Sequence, residues 1–318
     1  MRVFVYATLL FPAAGAPLAR LAIAGLHPRH AAWLASISAV VLAGTSCAAL
    51  GLLGIAELVR VPAFARLAHL SRRVIVHDDS TSSVVALVAG ILLGAALLGA
   101  LTFTVVRIRA LAAAFGHARA LPGRRSLVIT EDEVADAYTV PGRPGRIVVS
   151  TAMLDALDEP GRRALLAHEQ AHVRSHHYIF TAAARLAAAA NPLVRPLACA
   201  VEYAVERWAD EHAADEIGDR RQVATAIATA AIATKRTRPR RGPAPVLGAV
   251  LGRAGDARLD NAGPVPRRVA ALLGPAPRTS PFAFAIALGV IALAGLCALE
   301  AADDLRELIA LAHIERHG

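Results

Sequence analysis

Apolar and charged positions fall into blocks along this chain. Residues 3–19, 31–56, 84–106 and 282–299 are long apolar runs, and the second and third contain no charged side chain. A helix needs about twenty such residues to cross a hydrocarbon core of about 30 Å, so 31–56 and 84–106 are expected to span a bilayer, with 282–299 as a further span. The first run has seventeen residues and holds Pro12 and Pro17, which puts it at the short end for a crossing. A cleaved secretory signal is the competing reading. No small-residue cleavage site leads into a hydrophilic segment, however, and a second apolar run follows at once, so we read it as a retained first span.

From residue 107 to 278 charges occur throughout, and turn residues appear at Leu121-Pro122-Gly123 and from Pro141 to Gly145. The β-branched runs 126–130 and 146–151 are expected as strands, joined through 136–140 and the proline-glycine turn. Asp158-Glu159-Pro160-Gly161 signals a helix start, with Asp158 as cap. Asn191-Pro192 breaks the apolar stretch 178–201, which also holds Arg185 and Arg195; it is expected as helices packed on the domain or at the membrane interface, and not as a span. Residues 235–245 form a basic, proline-rich linker, and 267–273 a short amphipathic helix. The chain therefore divides into a three-span region 1–106, a water-facing α+β domain 107–280, and a fourth span with a short tail, 281–318.

Composition supports lipid as a solvent: 56% of residues are hydrophobic and only 4% aromatic. The three cysteines, Cys47, Cys199 and Cys297, stand far apart and suggest neither a disulfide framework nor a thiolate metal site. A formal charge of +9 raises the question of nucleic acid, but the arginines are spread along span-flanking segments and no nucleic-acid-binding motif accompanies them. Residues 107–278 carry 25 Lys/Arg against 17 Asp/Glu, whereas 300–318 carry 2 Arg against 5 acids. With Arg107, Arg109 and Arg278 at span ends, the bias toward basic cytoplasmic flanks places the domain in the cytoplasm and both termini outside. Arg60, Arg66, Arg72 and Arg73 then lie outside, against the same bias.

Residues 168–172 read His-Glu-Gln-Ala-His. On a helix, His168 and His172 lie one turn apart on one face, so two imidazoles can converge on one zinc ion with Glu169 beside it as general base. A catalytic zinc site takes three protein ligands and leaves one position open. The metzincin continuation is absent, because Ser175 and Tyr178 stand where Gly and His are needed. Downstream, Glu206 and Asp210 share a helix face; Glu206 can bind the ion, and Asp210 can accept a hydrogen bond from the far nitrogen of a ligating histidine. Glu202, one turn before Glu206, is the competing ligand.

These residues resemble the gluzincin pattern of the BlaR/MecR-type membrane metallopeptidases and their HtpX-type relatives. The likeness extends to 136–157, similar to the strand and helix that precede the motif, and to 268–273, similar to a closing helix; it covers roughly residues 120–275. It implies a mainly α membrane protein of about four transmembrane helices, with an α+β zincin-like (gluzincin) catalytic domain between the third and fourth. It also implies one Zn2+ per chain on His168, His172 and Glu206, with Asp210 behind them. HtpX-type proteases place two spans between the second histidine and the third ligand, whereas 33 residues separate His172 from Glu206 here. That spacing favours the BlaR/MecR type, which cleaves a cytoplasmic DNA-binding repressor. Only 19 residues follow the fourth span, too few for the β-lactam-binding domain of that type. Membrane quality control and a catalytically silent receptor or scaffold are the alternatives. Tyr138, Tyr178, His176, His177 and His212 are candidate oxyanion donors, and strand 146–151 is a candidate for pairing with an extended substrate.

Overall fold

The computed structural model describes residues 2–58, 83–120, 127–142, 145–237 and 264–317. Most of the segment between the second and third spans, the turn at Leu121-Pro122-Gly123, part of the turn from Pro141 to Gly145, and most of the basic linker lie outside the described residues.

Among the described residues, three helices are long and apolar enough to cross a membrane: α2 (Pro28–Leu58) over Pro28–Gly54, α3 (Ser83–Ala120) over Val84–Gly116, and the last helix, α10 (Pro281–His317), over Pro281–Glu300. Helix α1 (Arg2–Ile23) runs through Pro12 and Pro17, and its apolar part, Thr8–Ile23, is shorter than these three. It packs against α2 and α10 through Ala16 and Ala19, which meet Ala35, Ala39, Ala287 and Ala294 in one buried cluster. Small residues let helix backbones approach closely where lipid removes the hydrophobic drive for association. Val84, Leu87, Ile91, Leu98 and Leu101 of α3 are exposed, as a lipid-facing surface requires. Helix α3 does not end at Val106, where the charged segment begins, but continues without interruption to Ala120.

The helix ends place the domain at the end of the bundle that carries the α1–α2 turn. Ser280 N–H donates to Gly25 O at 3.3 Å, and His30 Nδ1 lies 3.0 Å from Thr279 Oγ1, so the start of α10 is tied to the α1–α2 turn. On the same side, Ala114 near the end of α3 packs with Val128, Val140 and Val148 of the sheet.

The sheet has three strands, β1 (Leu127–Thr130), β2 (Ala137–Val140) and β3 (Arg146–Ser150), in the order β1-β3-β2. β3 pairs in parallel with β1 (Val128 opposite Val148) and antiparallel with β2 (Tyr138 opposite Val148). The expected strand 146–151 ends one residue early because Ser150 caps α4 (Thr151–Asp155), accepting from Met153 N–H. Being central, β3 has no free edge, so the suggestion that it pairs with substrate is corrected: the free edges belong to β1 and β2.

Helix α5 (Glu159–Arg174) starts as expected, with Asp158 accepting from Gly161 N–H at 2.9 Å. Gly145 lies against it so closely that a Cβ would stand 2.7 Å from Val173 Cγ1. The stretch 178–201 becomes α6 (His177–Ala190), a short 3-10 turn Pro192–Val194, and the first part of α7 (Arg195–Ile217). It packs on the spans: Phe180, Ala184, Ala187, Leu197 and Val201 share a core with α1, α2 and α10, and Asn191 Nδ2 donates to Ser46 Oγ at 3.1 Å, well along α2. The segment between His172 and Glu206 is thus a helical hairpin that enters the bundle and returns on the side it left. Helices α8 (Arg220–Thr237) and α9 (Pro264–Leu273) close the domain over α5 and α7.

Candidate metal centre

The site is built where α5, α6, α7 and α9 meet. On α5, the face carrying Ala164, Ala167 and Ala171 is buried, and it takes His168 and Glu169 inward with it. Glu169 is 1% exposed. Helix α7 presents Glu206 and Asp210 toward α5. His168 Nε2 lies 3.1 Å from His172 Nε2 and 3.6 Å from Glu206 Oε2, and His172 Nε2 lies 3.5 Å from Glu206 Oε1. A tetrahedral ion with ligand bonds of about 2.0–2.2 Å sets its ligands about 3.3–3.6 Å apart, so the two sides to Glu206 have the size that zinc demands and the side between the histidines is slightly shorter. Glu202 is not part of it; it accepts from Arg185 Nε at 2.5 Å across the hairpin.

Behind the triangle, His168 Nδ1 stands 3.1 Å from Asp210 Oδ1, close enough to pair although the ring is not aligned for a hydrogen bond. Asp210 is 0% exposed. Its oxygens are aimed at Arg268, whose Nε and Nη2 donate to them at 2.8 and 2.5 Å, while Nη1 lies 2.8 Å from Glu206 Oε2. Arg268 therefore grips both Glu206 and Asp210 of α7 from α9. Burial alone would push Asp210 and Glu206 up; Arg268 first, and then the histidines, hold Asp210 below and Glu206 well below the usual carboxylate range. Burial likewise pushes His168 down, but Asp210 and Glu206 outweigh it and raise it to about 9. The donor set suits a divalent ion: with Arg268, a charge of +2 balances Glu169, Glu206 and Asp210.

Arg268 was not foreseen as a site residue. Its signal lies in periodicity: Val265, Arg268, Val269 and Leu272 are spaced i, i+3, i+4, i+7, so the arginine sits in the apolar stripe of its helix, where an unpaired charge would be costly. The second unforeseen feature is the place of His177, whose Nδ1 lies 3.0 Å from His172 Nδ1. Burial first, and then the neighbouring His172, push its pKa down to about 2, so it is a neutral imidazole. His177 Nδ1 is turned toward His172, and its Nε2 is buried without a hydrogen-bond partner among the described residues. His212 is not among the residues that line the cleft, whereas Tyr138, His176 and Tyr178 are.

That cleft, of about 3580 Å³, runs from β2 past the three ligands and along α2 and α3, where Trp33, Val40 and Phe103 line it. A membrane-helix bundle carrying a small sheet, a helix with two histidines and a glutamate, and a third carboxylate from a later helix defines a membrane-associated metallopeptidase. The sequence profile of Peptidase family M48 matches residues 104–276, more than half of the chain, and the chain belongs to that family. Its members are zinc-dependent, in keeping with the ligand triangle. Neither the curated proteins nor the solved structures hold a match to the chain.

Proposed function

We propose that the chain is an integral-membrane zinc-dependent endopeptidase whose site opens to the cytoplasm. The observation that carries this reading is the His168, His172 and Glu206 triangle with Glu169 buried next to it, beside the free edge of β2. An extended polypeptide can add to that edge by main-chain hydrogen bonds, which read backbone and not chain ends. Tyr138 and Thr139 of β2 line the same cleft.

His168, His172 and Glu206 would hold the ion, which would supply an acidified water and a Lewis acid for the scissile carbonyl. Glu169 takes the proton from the attacking water and returns it to the leaving amine. Asp210, clamped by Arg268, faces His168 Nδ1 at 3.1 Å and orients the ring electrostatically. The burial of Glu169 keeps its carboxylate in place and bulk water away from the proton it carries.

For the substrate, the basic flanks Arg107, Arg109 and Arg278 and the BlaR/MecR-type resemblance support cleavage of a cytoplasmic DNA-binding repressor or a similar soluble regulator in signalling. The extension of the cleft along Trp33, Val40 and Phe103 favours a second reading, quality-control cleavage of membrane proteins in the manner of HtpX-type relatives. Trapping with Glu169→Gln in cells separates them: a DNA-binding protein retained on the variant supports the first, and misfolded membrane proteins alone support the second. A reporter fused after Arg278 that registers the outside refutes the cytoplasmic reading.

A further inference from the structure

Two histidines of one motif are oriented here by unlike partners. His168 has a buried carboxylate, Asp210, behind its Nδ1, whereas the neighbour of His172 Nδ1 is a second imidazole, His177, at 3.0 Å. A hydrogen bond between two imidazole nitrogens needs a proton on one and a lone pair on the other. His172 Nε2 faces the ligand triangle, 3.1 Å from His168 Nε2 and 3.5 Å from Glu206 Oε1. To serve as a ligand it must offer a lone pair there, which forces the proton of His172 onto Nδ1. A proton on Nε2 would find acceptors of its own in Glu206 and His168, so the triangle by itself does not eliminate the non-binding tautomer.

We propose that His177 is a positioning residue for His172, accepting a hydrogen bond at its Nδ1 from His172 Nδ1–H and so selecting the tautomer and ring orientation that bind zinc. The inference rests on the zinc-site reading above. The surroundings hold His177 to this task. It is 2% exposed, and its ring packs on Trp208 with centroids 4.6 Å apart. Trp208 in turn meets Phe180 at 5.8 Å and lies under the Arg29 guanidinium at 5.7 Å, while Phe180 meets Trp33 at 4.8 Å. The chain reaches this position through His176, the one non-glycine among the described residues with positive φ, at φ 50° and ψ 42°. That left-handed turn ends α5 and starts α6 on His177, placing its ring back over the helix that carries His172. The proton of His177 then resides on Nε2, which is buried without a hydrogen-bond partner among the described residues, a cost that the hydrogen bond from His172 must offset.

The test uses the full chain in detergent, with zinc affinity read by chelator competition and the cobalt-substituted spectrum as a second readout. Partners that orient metal-ligating histidines are worth about 10–100-fold in affinity. His177→Phe keeps the ring volume but removes the acceptor, and is expected to weaken zinc by that factor and to alter the cobalt bands. His177→Gln restores a carbonyl acceptor and is expected to recover most of the loss. His168→Ala is the control for the site itself: if it binds zinc as the wild type does, the zinc-site reading fails. If it loses zinc while His177→Phe binds unchanged, the role of His177 alone is overturned. Should the Phe variant not fold, 15N NMR of zinc-loaded wild-type protein decides. A proton on His172 Nδ1 and on His177 Nε2 supports the proposal, and a proton on His177 Nδ1 overturns it.

Discussion

Replacing Arg268 by Met should be the most damaging single change outside the ligands. Its side chain is 11% exposed and makes two hydrogen bonds to Asp210 and a contact at 2.8 Å to Glu206. Methionine fills much of the same volume, so the loss is electrostatic and not a cavity. Asp210 is left fully buried with His168 as its remaining partner, and removing one member of a buried ion pair costs about 3–5 kcal/mol. At about 2–4 °C per kcal/mol for a domain of 150–250 residues, thermal unfolding should fall by roughly 6–20 °C. Arg268→Lys keeps the charge but not the fork that spans both Asp210 oxygens, and should fall between. Arg268→Met with Asp210→Asn removes the stranded charge and should recover part of the loss. Differential scanning fluorimetry of the metal-free protein measures all four proteins. An Arg268→Met variant that melts within about 1 °C of the wild type would refute the reasoning.

Glu206→Ala should abolish stoichiometric zinc while Glu202→Ala retains it, because only Glu206 stands with the histidines; a metal titration with the opposite result reverses the ligand assignment. In metal-free protein His168 is raised to about 9 from its ordinary 6.5, so its contribution to stability is complete below about 6.5 and disappears as pH rises through about 9. Zinc must displace that proton, so apparent zinc affinity should increase about tenfold per pH unit between 7 and 9 and then level off; a flat profile over that window refutes the proton's place. The depressed Asp210 and Glu206 give the opposite sign, with stability present above the ordinary carboxylate range and lost as pH falls through their lowered values. His176→Gly should leave zinc binding unchanged and stability equal or higher by about 1 kcal/mol, since glycine adopts φ 50° without a Cβ clash; loss of zinc would give His176 a role beyond its turn.

The spans and the motif helix were legible because each depends on local pattern: unbroken apolar length for α2, α3 and α10, and an Asp158 cap with i, i+4 spacing for α5. Glu206 and Asp210 were legible as one helix face, but the same face offered Glu202, and what separates the two is tertiary: Glu206 stands with the histidines and Arg268, whereas Glu202 pairs with Arg185 across the hairpin. The path of residues 178–201 depends on tertiary packing: their composition excluded a crossing, yet nothing local shows that Asn191 reaches Ser46 of α2. Strand order was likewise hidden, since pairing partners are nonlocal, and of the two roles open to strand 146–151, substrate pairing or sheet stabilisation, its central place in the sheet leaves the second. Arg268 left a trace in the apolar stripe of α9. His177 left none, because the turn after Arg174 breaks the helical register that related the other histidines.

The central claim is that one zinc, held by His168, His172 and Glu206, works with Glu169 as its proton carrier. Zinc content and peptide cleavage measured on the same preparations of wild-type and Glu169→Gln protein test it most directly. The account predicts one zinc per chain in both, with hydrolysis by the variant lower by about 10²–10⁴-fold. A folded Glu169→Gln protein that has lost its metal, or one that cleaves as fast as the wild type, would contradict it.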